Sequence, residues 1–407
     1  MSTQVQAQAK PVGVKRLGID VPLLIIVACL VVFGLLMVYS SSWDASLRAG
    51  KAPTHIFNRQ LIWVGIGLVI CLIASLTDYH FYSKVVVIMM IGVLILLIAV
   101  LIVSRVKSDA TRTLFDGSGQ PTELAKMATI LYLAVWLNNR RETLGSFKDG
   151  LIPLVAIVGL VAALIIFQPD ISAAATIGIL GIIMFFIGGG DLRQIMLSLA
   201  GGLGLGLLAV NILPTGRARI SQYLSGIQNP VKGSYHIRRT FEAVIKGRFF
   251  GVGLGNADTK FTGLPLPHTD SIFAVIAEET GVFGSFFVII LFVLLLWRGY
   301  VIAKNAPDNL GKLLSFGLIG WIVLEALMNI AVIVGLFPMA GNALPFISAG
   351  GSSMVTTLFA IGIVMNVSRQ SAAKINQERS SGSAAVDLRG RDWRRSVSRP
   401  NRYRDTE

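Results

Sequence analysis

The chain has 407 residues, 54% of them hydrophobic and only 14% charged, with a formal net charge of +14 and a mean hydropathy of +0.70. That composition excludes a soluble globular domain. Its apolar runs are continuous rather than alternating, which excludes a membrane β-barrel. The expected fold class is therefore an all-α integral membrane protein, since helices satisfy their own backbone in lipid.

Residues 1–18 are polar and carry Lys10, Lys15 and Arg16 ahead of the first apolar run. That run is too long for a signal-peptide core and no small-residue cleavage pattern follows it, so no cleavable leader is expected. Measured against the roughly 20 residues that cross a bilayer, ten candidate spans begin near Val21, Phe57, Val85, Glu123, Leu151, Ile171, Ile195, Ser271, Leu310 and Ser352. Together they define a membrane domain over 19–370. Cys29 and Cys71 lie inside these runs and read as small core hydrophobes, not as a disulfide or a metal site. Gln168-Pro169-Asp170 separates the fifth and sixth runs and predicts a tight helical hairpin, because Pro breaks a helix and Asp caps one. The glycines at 188–190 and 201–206 follow no strand, so they are read as close helix packing and not as nucleotide loops.

An even number of spans puts both termini on one side. The Lys/Arg distribution favours a cytoplasmic location for them, with the support coming from the C-terminal tail. Residues 213–270 then form one large extracytoplasmic loop between the seventh and eighth spans. It carries Arg217, Arg219, Lys232, Arg238, Arg239, Lys246, Arg248 and Lys260. So basic a loop over a membrane suggests a phosphate-bearing ligand. A solvated charged face is the plainer reading for any single Arg. Residues 371–407 are Ser- and Arg-rich and are expected to be a disordered basic tail that meets anionic lipid or cytosolic partners.

The stretch Pro265–Gly284 organises the rest. It ends the polar loop with His268, Thr269 and Asp270 and opens an apolar run that contains Glu278 and Glu279. An acid at the mouth of a span is costly unless used, which marks Asp270 as a candidate site residue. The alternative is a helix N-cap. A helix from 270 onward would put Asp270, Ala274 and Glu278 on one face. Lys126 lies about one turn into the fourth span, three residues after Glu123, and an i,i+3 pair between them is allowed.

Four blocks together resemble one family, the SEDS proteins (shape, elongation, division and sporulation), which include FtsW, RodA and SpoVE. They are Gln120-Pro-Thr-Glu-Leu-Ala-Lys126; Gln168-Pro-Asp170; Gly251-Val-Gly-Leu-Gly255 with Pro265-Leu-Pro-His-Thr-Asp270 and Glu278-Glu-Thr-Gly281; and Gly335-Leu-Phe-Pro338 with Leu344-Pro-Phe-Ile-Ser-Ala-Gly-Gly-Ser-Ser353. Their order and spacing agree with the family over nearly all of 20–370. The resemblance implies a peptidoglycan glycosyltransferase that polymerises lipid II, an undecaprenyl-diphosphate-linked disaccharide peptide, at the outer face of the bacterial inner membrane. It implies a class B penicillin-binding protein as partner. The long basic tail tilts the resemblance toward the FtsW type, with divisome proteins as further partners and no nucleic acid. The family's proposed catalytic Asp maps onto Asp270, its Lys onto Lys126 and the Asp of its QPD motif onto Asp170. His268 is the rival base. Arg112, Arg238, Arg239, Arg248, Asp170, Glu278, Ser352 and Ser353 are the expected substrate contacts.

Four departures stand out. Thr111-Arg112-Thr113 replaces Arg-Arg-Trp, Glu325 a Gln, Ala349 a Tyr, and Arg239-Thr240 a Gln-Ser pair. A diphosphate leaving group is the kind of charge that Mg²⁺ or Mn²⁺ neutralises, although no metal-ligand spacing is present. A flippase for lipid-linked precursors and a non-catalytic scaffold are the competing readings.

Overall fold

A computed structural model describes residues 18–106, 120–228 and 235–395, with the backbone alone at 104–106, 227–228 and 376–395. Arg112 and Lys232 lie outside the described residues. Among those described the chain is helical, with no strand. In order the helices are α1 (Val21–Arg48), α2 (His55–Leu76), α3 (His80–Val106), α4 (Pro121–Asn139), α5 (Ile152–Ile166, entered through a π-turn at Phe147–Leu151), α6 (Ile171–Gly188), α7 (Leu192–Ile212), α8 (Pro214–Gln228), α9 (Tyr235–Gly247), α10 (Ile272–Lys304), α11 (Asn309–Ile333) and α12 (Gly351–Arg395).

Nine of the described helices are long and apolar enough to cross a bilayer. The fourth candidate span, α4, is not one of them, and the packing explains why. It sits in the middle of the bundle against α3, α6, α11 and α12, with most of its side chains buried. A helix shielded from lipid by protein can carry Glu123 and Lys126. At the other extreme, among the described residues α7 packs chiefly against its neighbours α6 and α8 and the π-turn, and its apolar window buries nothing. The two glycine clusters therefore part company. A Cβ on Gly188 would lie 3.2 Å from Leu137, which is close packing, whereas Gly201, Gly202, Gly204 and Gly206 meet nothing within 4 Å. Cys29 is likewise exposed and not in the core, while Cys71 is buried.

The α5–α6 hairpin forms as the Pro-Asp pair predicts, and Gln168 Nε2 ties it to α3 by donating to Leu97 O at 2.9 Å. The tail departs from expectation: backbone helix continues past 371 to Arg395. Ser371 Oγ donates to Asn305 O, and Lys374 Nζ donates to Pro307 O at 3.2 Å, so the start of the tail is held against the α10–α11 turn. The run Arg369–Arg379 is also rich in Ala, Gln, Lys, Glu and Arg, which favour helix.

α10 is broken. Gly281 has φ +66° and ψ −161° inside it. The carbonyls freed by the break are paired by the preceding loop: Val252 N–H donates to Glu278 O at 2.9 Å and Gly253 N–H to Glu279 O at 3.0 Å. In return Val282 N–H donates to Arg248 O at 3.0 Å and Phe283 N–H to Phe249 O at 3.3 Å. A side chain at 251 would strike Glu279 O, and one at 281 would strike Gly251 N. The Gly-Val-Gly block thus lets two backbones meet, and what it meets is a helix, not a ligand.

The end of the bundle that holds the start of α1 is locked by Asp20. Its carboxylate N-caps α1 through Leu23 N–H at 3.2 Å. It also accepts Arg298 Nε and Nη2 at 2.8 and 2.9 Å and Ser368 Oγ at 2.8 Å, joining α1 to α10 and α12. Burial pushes the Asp20 carboxyl up, but Arg298, Ser368 and the Leu23 amide outweigh it and bring it below its ordinary value. Arg298→Met is expected to destabilise the protein by about 3 kcal/mol, because it strands a buried carboxylate. Because the folded pKa is depressed, the wild-type pair contributes fully above the ordinary carboxylate range and loses its contribution as pH falls below about 4. Thermal unfolding in detergent between pH 7 and pH 3 checks both: the gap between wild type and variant should close at the acid end.

Candidate active site

Four separate segments close on one cavity of about 360 Å³. Gln120, Glu123 and Lys126 come from the start of α4, Asp170 from the α5–α6 turn, Leu266, Thr269 and Asp270 from the loop before α10, and Gly341–Ala343 and Ala349–Ser353 from the segment between α11 and α12. Glu325 of α11 completes the wall. Apart from Glu325, which lies inside α11, each contribution lies at or near a helix end, where backbone groups and capping side chains are polar by construction.

Lys126 is buried, with its side chain 5% exposed. Its Nζ donates to Glu123 Oε1 at 2.8 Å, the i,i+3 partner that the sequence allows, and to Glu325 across the gap to α11. The Trp321 ring lies 5.8 Å from the ammonium. Asp170 does not orient Lys126. It caps α6 instead, accepting Ala173 N–H at 3.2 Å and Ser172 Oγ at 2.9 Å.

Asp270 is placed through its backbone. The N-cap of α10 is Ser271, so Asp270 precedes the helix and is not its capping residue. Three successive carbonyls are held from outside: His268 O by Ala349 N–H at 2.8 Å, Thr269 O by Ser348 Oγ at 2.7 Å, and Asp270 O by Asn329 Nδ2 at 2.9 Å. The same Asn329 amide donates to Asn342 O at 2.6 Å. Gln60 of α2 braces the other side, donating to Ser348 O at 3.4 Å and accepting Gly350 N–H at 3.1 Å. The left-handed residue of this turn is Phe346, at φ +64° and buried, not Gly350 or Gly351. Gly351 is small for a different reason: a Cβ there would lie 2.6 Å from the Trp63 ring.

A family model described as FTSW_RODA_SPOVE, cell cycle protein, matches residues 21–373. The chain belongs to this family. It is 36% identical over 367 residues to the stage V sporulation protein E of Bacillus subtilis, covering 88% of this chain and 99% of that protein. It is 34% identical over 353 residues to a probable peptidoglycan glycosyltransferase FtsW of Geobacter metallireducens, covering 86% and 94%. Among solved structures, a chain from one described as the structural coordination of polymerization and crosslinking by a peptidoglycan synthase complex superposes with a TM-score of 0.68 at 24% identity, over 87% of this chain and 99% of that one. The rod shape determining protein RodA of Thermus thermophilus gives 0.61 at 23% identity, over 87% and 98%. These two show the fold.

Measured against the family motifs, the cavity collects Asp270, Lys126, Asp170, Ser352 and Ser353, and Ser352 Oγ accepts Gln120 N–H at 3.2 Å. Of the other candidates among the described residues it collects none. Glu278 turns away from Asp270 and is fully buried, its Oε1 accepting Asp258 N–H at 3.0 Å and Thr259 N–H at 3.3 Å and its Oε2 the Thr259 hydroxyl. The shared face fails because the helix begins only at Ile272. Arg239 is committed to Glu242 at 2.7 Å and Thr262 O at 2.6 Å. Arg238 and Arg248 are exposed on the loop, away from the cavity. His268 does not line the cavity either, and burial, with Arg59 second, holds its imidazole below the ordinary value. Sequence reasoning missed Asn329, Asn342, Gln60 and His236. His236 Nε2 lies 2.9 Å from Ser271 Oγ, next to Asp270.

The Lys126 cluster makes a stability prediction. Lys126→Met strands two buried carboxylates and should cost about 3–5 kcal/mol. Lys126→Met/Glu325→Gln should recover most of it, as read by thermal unfolding. Equal melting midpoints for wild type and Lys126→Met would contradict the pairing.

Proposed function

We propose that this chain is a peptidoglycan glycosyltransferase that polymerises lipid II into glycan strands at the outer face of the bacterial inner membrane. The observation that carries the reading is the convergence of all four motif blocks on one cavity, with Asp270 held there by three backbone clamps. The accompanying topology has ten spans, α4 being the shielded one, with both termini in the cytoplasm and residues 213–270 outside. A lipid II molecule would keep its polyprenyl chain in the bilayer and present its sugar and diphosphate to the cavity.

In this reading Asp270 takes the proton from the acceptor's C4 hydroxyl as that oxygen attacks the donor's anomeric carbon. The bond to the diphosphate breaks, and the departing charge is met by Lys126. Lys126 is paired in the structure, so a phosphate oxygen would replace one of its carboxylate partners. Among the described residues no group of three or more His, Cys, Asp or Glu side chains could hold a metal ion, and no step here runs through one. A class B penicillin-binding protein is the proposed partner, and an FtsW-type role in division, with other divisome proteins, the proposed setting.

Purified protein supplied with lipid II separates the readings. A polymerase yields glycan polymer, a transporter moves lipid II across a vesicle membrane without polymer, and a scaffold does neither. Asp270→Asn keeps size and hydrogen bonds but accepts no proton, and it should lower the polymerisation rate roughly 10²–10⁴-fold with an unchanged melting midpoint. His268→Gln should retain measurable activity. Near-wild-type polymerisation by Asp270→Asn would remove Asp270 as the base.

A further inference from the structure

Glu279 and Lys260 take no part in the cavity, yet their side chains are 0% and 3% exposed. Lys260 Nζ donates to Glu279 Oε1 at 2.7 Å, to Ser40 Oγ at 3.0 Å and to Gly255 O at 2.8 Å. Ser40 of α1 donates to both Glu279 oxygens, at 2.6 and 2.8 Å. Next to them Glu278 holds the backbone of Asp258 and Thr259, and Arg48 of α1 reaches Phe261 O at 3.1 Å. Three elements thus meet at one point: α1, the loop 256–262 and the end of the short helix 272–280.

The location of this point gives it a task. The helix 272–280 carries Asp270 at its head and ends at the Gly281 break. A backbone turned to φ +66° does not pass the direction of the long lower segment of α10 on to the short upper one. The upper segment must therefore take its orientation from lateral contacts. α9 supplies one side, where a Cβ on Gly247 would lie 1.8 Å from Ala277 O. The far end is held by Glu278 and Glu279.

We propose that the Lys260–Glu279–Ser40 cluster is a positioning clasp that fixes the tilt of helix 272–280, and through it the place of Asp270 in the cavity. The inference rests on the glycosyltransferase reading for its effect on rate, but not for its effect on geometry. The ion pair is directional: shape-matched apolar side chains fill the same space without holding the loop to the helix at one angle. Since the pair leaves no stranded charge when both members go, its removal need not unfold the protein.

The test is Lys260→Met/Glu279→Leu in the full chain, read two ways. Hydrogen–deuterium exchange should rise in peptides spanning 256–273 and stay unchanged in α4 and α11. With lipid II, kcat should fall about 10–100-fold while KM stays within about twofold and the melting midpoint is retained. Ser40→Ala, which removes only the α1 arm, should shift both readings in the same direction by less, and it serves if the double variant does not fold. Wild-type exchange in 256–273 in whichever variant is folded overturns the clasp, as does a kcat loss that tracks the melting midpoint. If wild type does not polymerise lipid II, the function reading fails, and the exchange measurement alone decides the clasp.

Discussion

A charge buried in a lipid-embedded bundle must meet its opposite or a set of hydrogen-bond donors, because carrying an ion alone into a low dielectric costs of order 20 kcal/mol in the ideal limit. The protein obeys this at three levels. Asp20 meets Arg298, Lys126 meets Glu123 and Glu325, and Lys260 meets Glu279. Asp20–Arg298 and Lys126–Glu325 join segments far apart in sequence, and Lys260–Glu279 ties α10 to the loop just before it, so charge neutrality doubles as topology: α1 to α10, α4 to α11, and the loop around 256–262 to α10. Backbone carbonyls follow the same rule. Those freed by the Gly281 break are matched by the Gly-Val-Gly turn, and those at 268–270 by Ala349, Ser348 and Asn329.

The cavity is where that balance is left incomplete. Glu123, Asp170, Asp270 and Glu325 line it against Lys126 as the cation among the lining residues. Glu123 gives one oxygen to Lys126 and leaves Oε2 without a hydrogen-bond partner. Since Glu325 sits on α11 and Lys126 on α4, their pair also links two core helices. Glu325 gives Lys126 a second carboxylate partner besides Glu123.

Much of the architecture is legible in the sequence because lipid imposes a length rule. The span starts read from apolar runs fall within a few residues of the helix starts, and the Pro-Asp hairpin forms where its residues dictate. Where the structure adds to that reading, the causes are physical. α4 is shielded by protein, so its polarity reflects the core and not the bilayer. α7 lies so far outside the packed body that its glycines touch nothing. The tail past 371 reads as disordered by composition; its backbone is helical to Arg395, and Ser371 and Lys374 hold its first residues against the α10–α11 turn.

The charged residues of the cavity wall are legible in the sequence and its supports are not, and one cause accounts for both. Asp270, Lys126 and Asp170 announce themselves because an acid or a base at a span end is rare and costly. The residues that hold Asp270 in place are an Asn, a Ser and a Gln, types that are ordinary in any loop. Two of the clamps, and a brace from Gln60, act on main-chain carbonyls through side chains, and the third through a backbone amide. The side chains of His268 and Thr269 therefore contribute little to holding their own stretch of chain. A motif read for reactive residues weights His268 for its imidazole, whereas the structure uses it for its carbonyl. The same inversion holds at Glu278 and Glu279. A carboxylate eight residues past Asp270 looks like a substrate contact on a shared helix face. With the helix starting at Ile272 and ending at Gly281, that face does not exist, and the two acids serve the backbone geometry that brings Asp270 to the cavity.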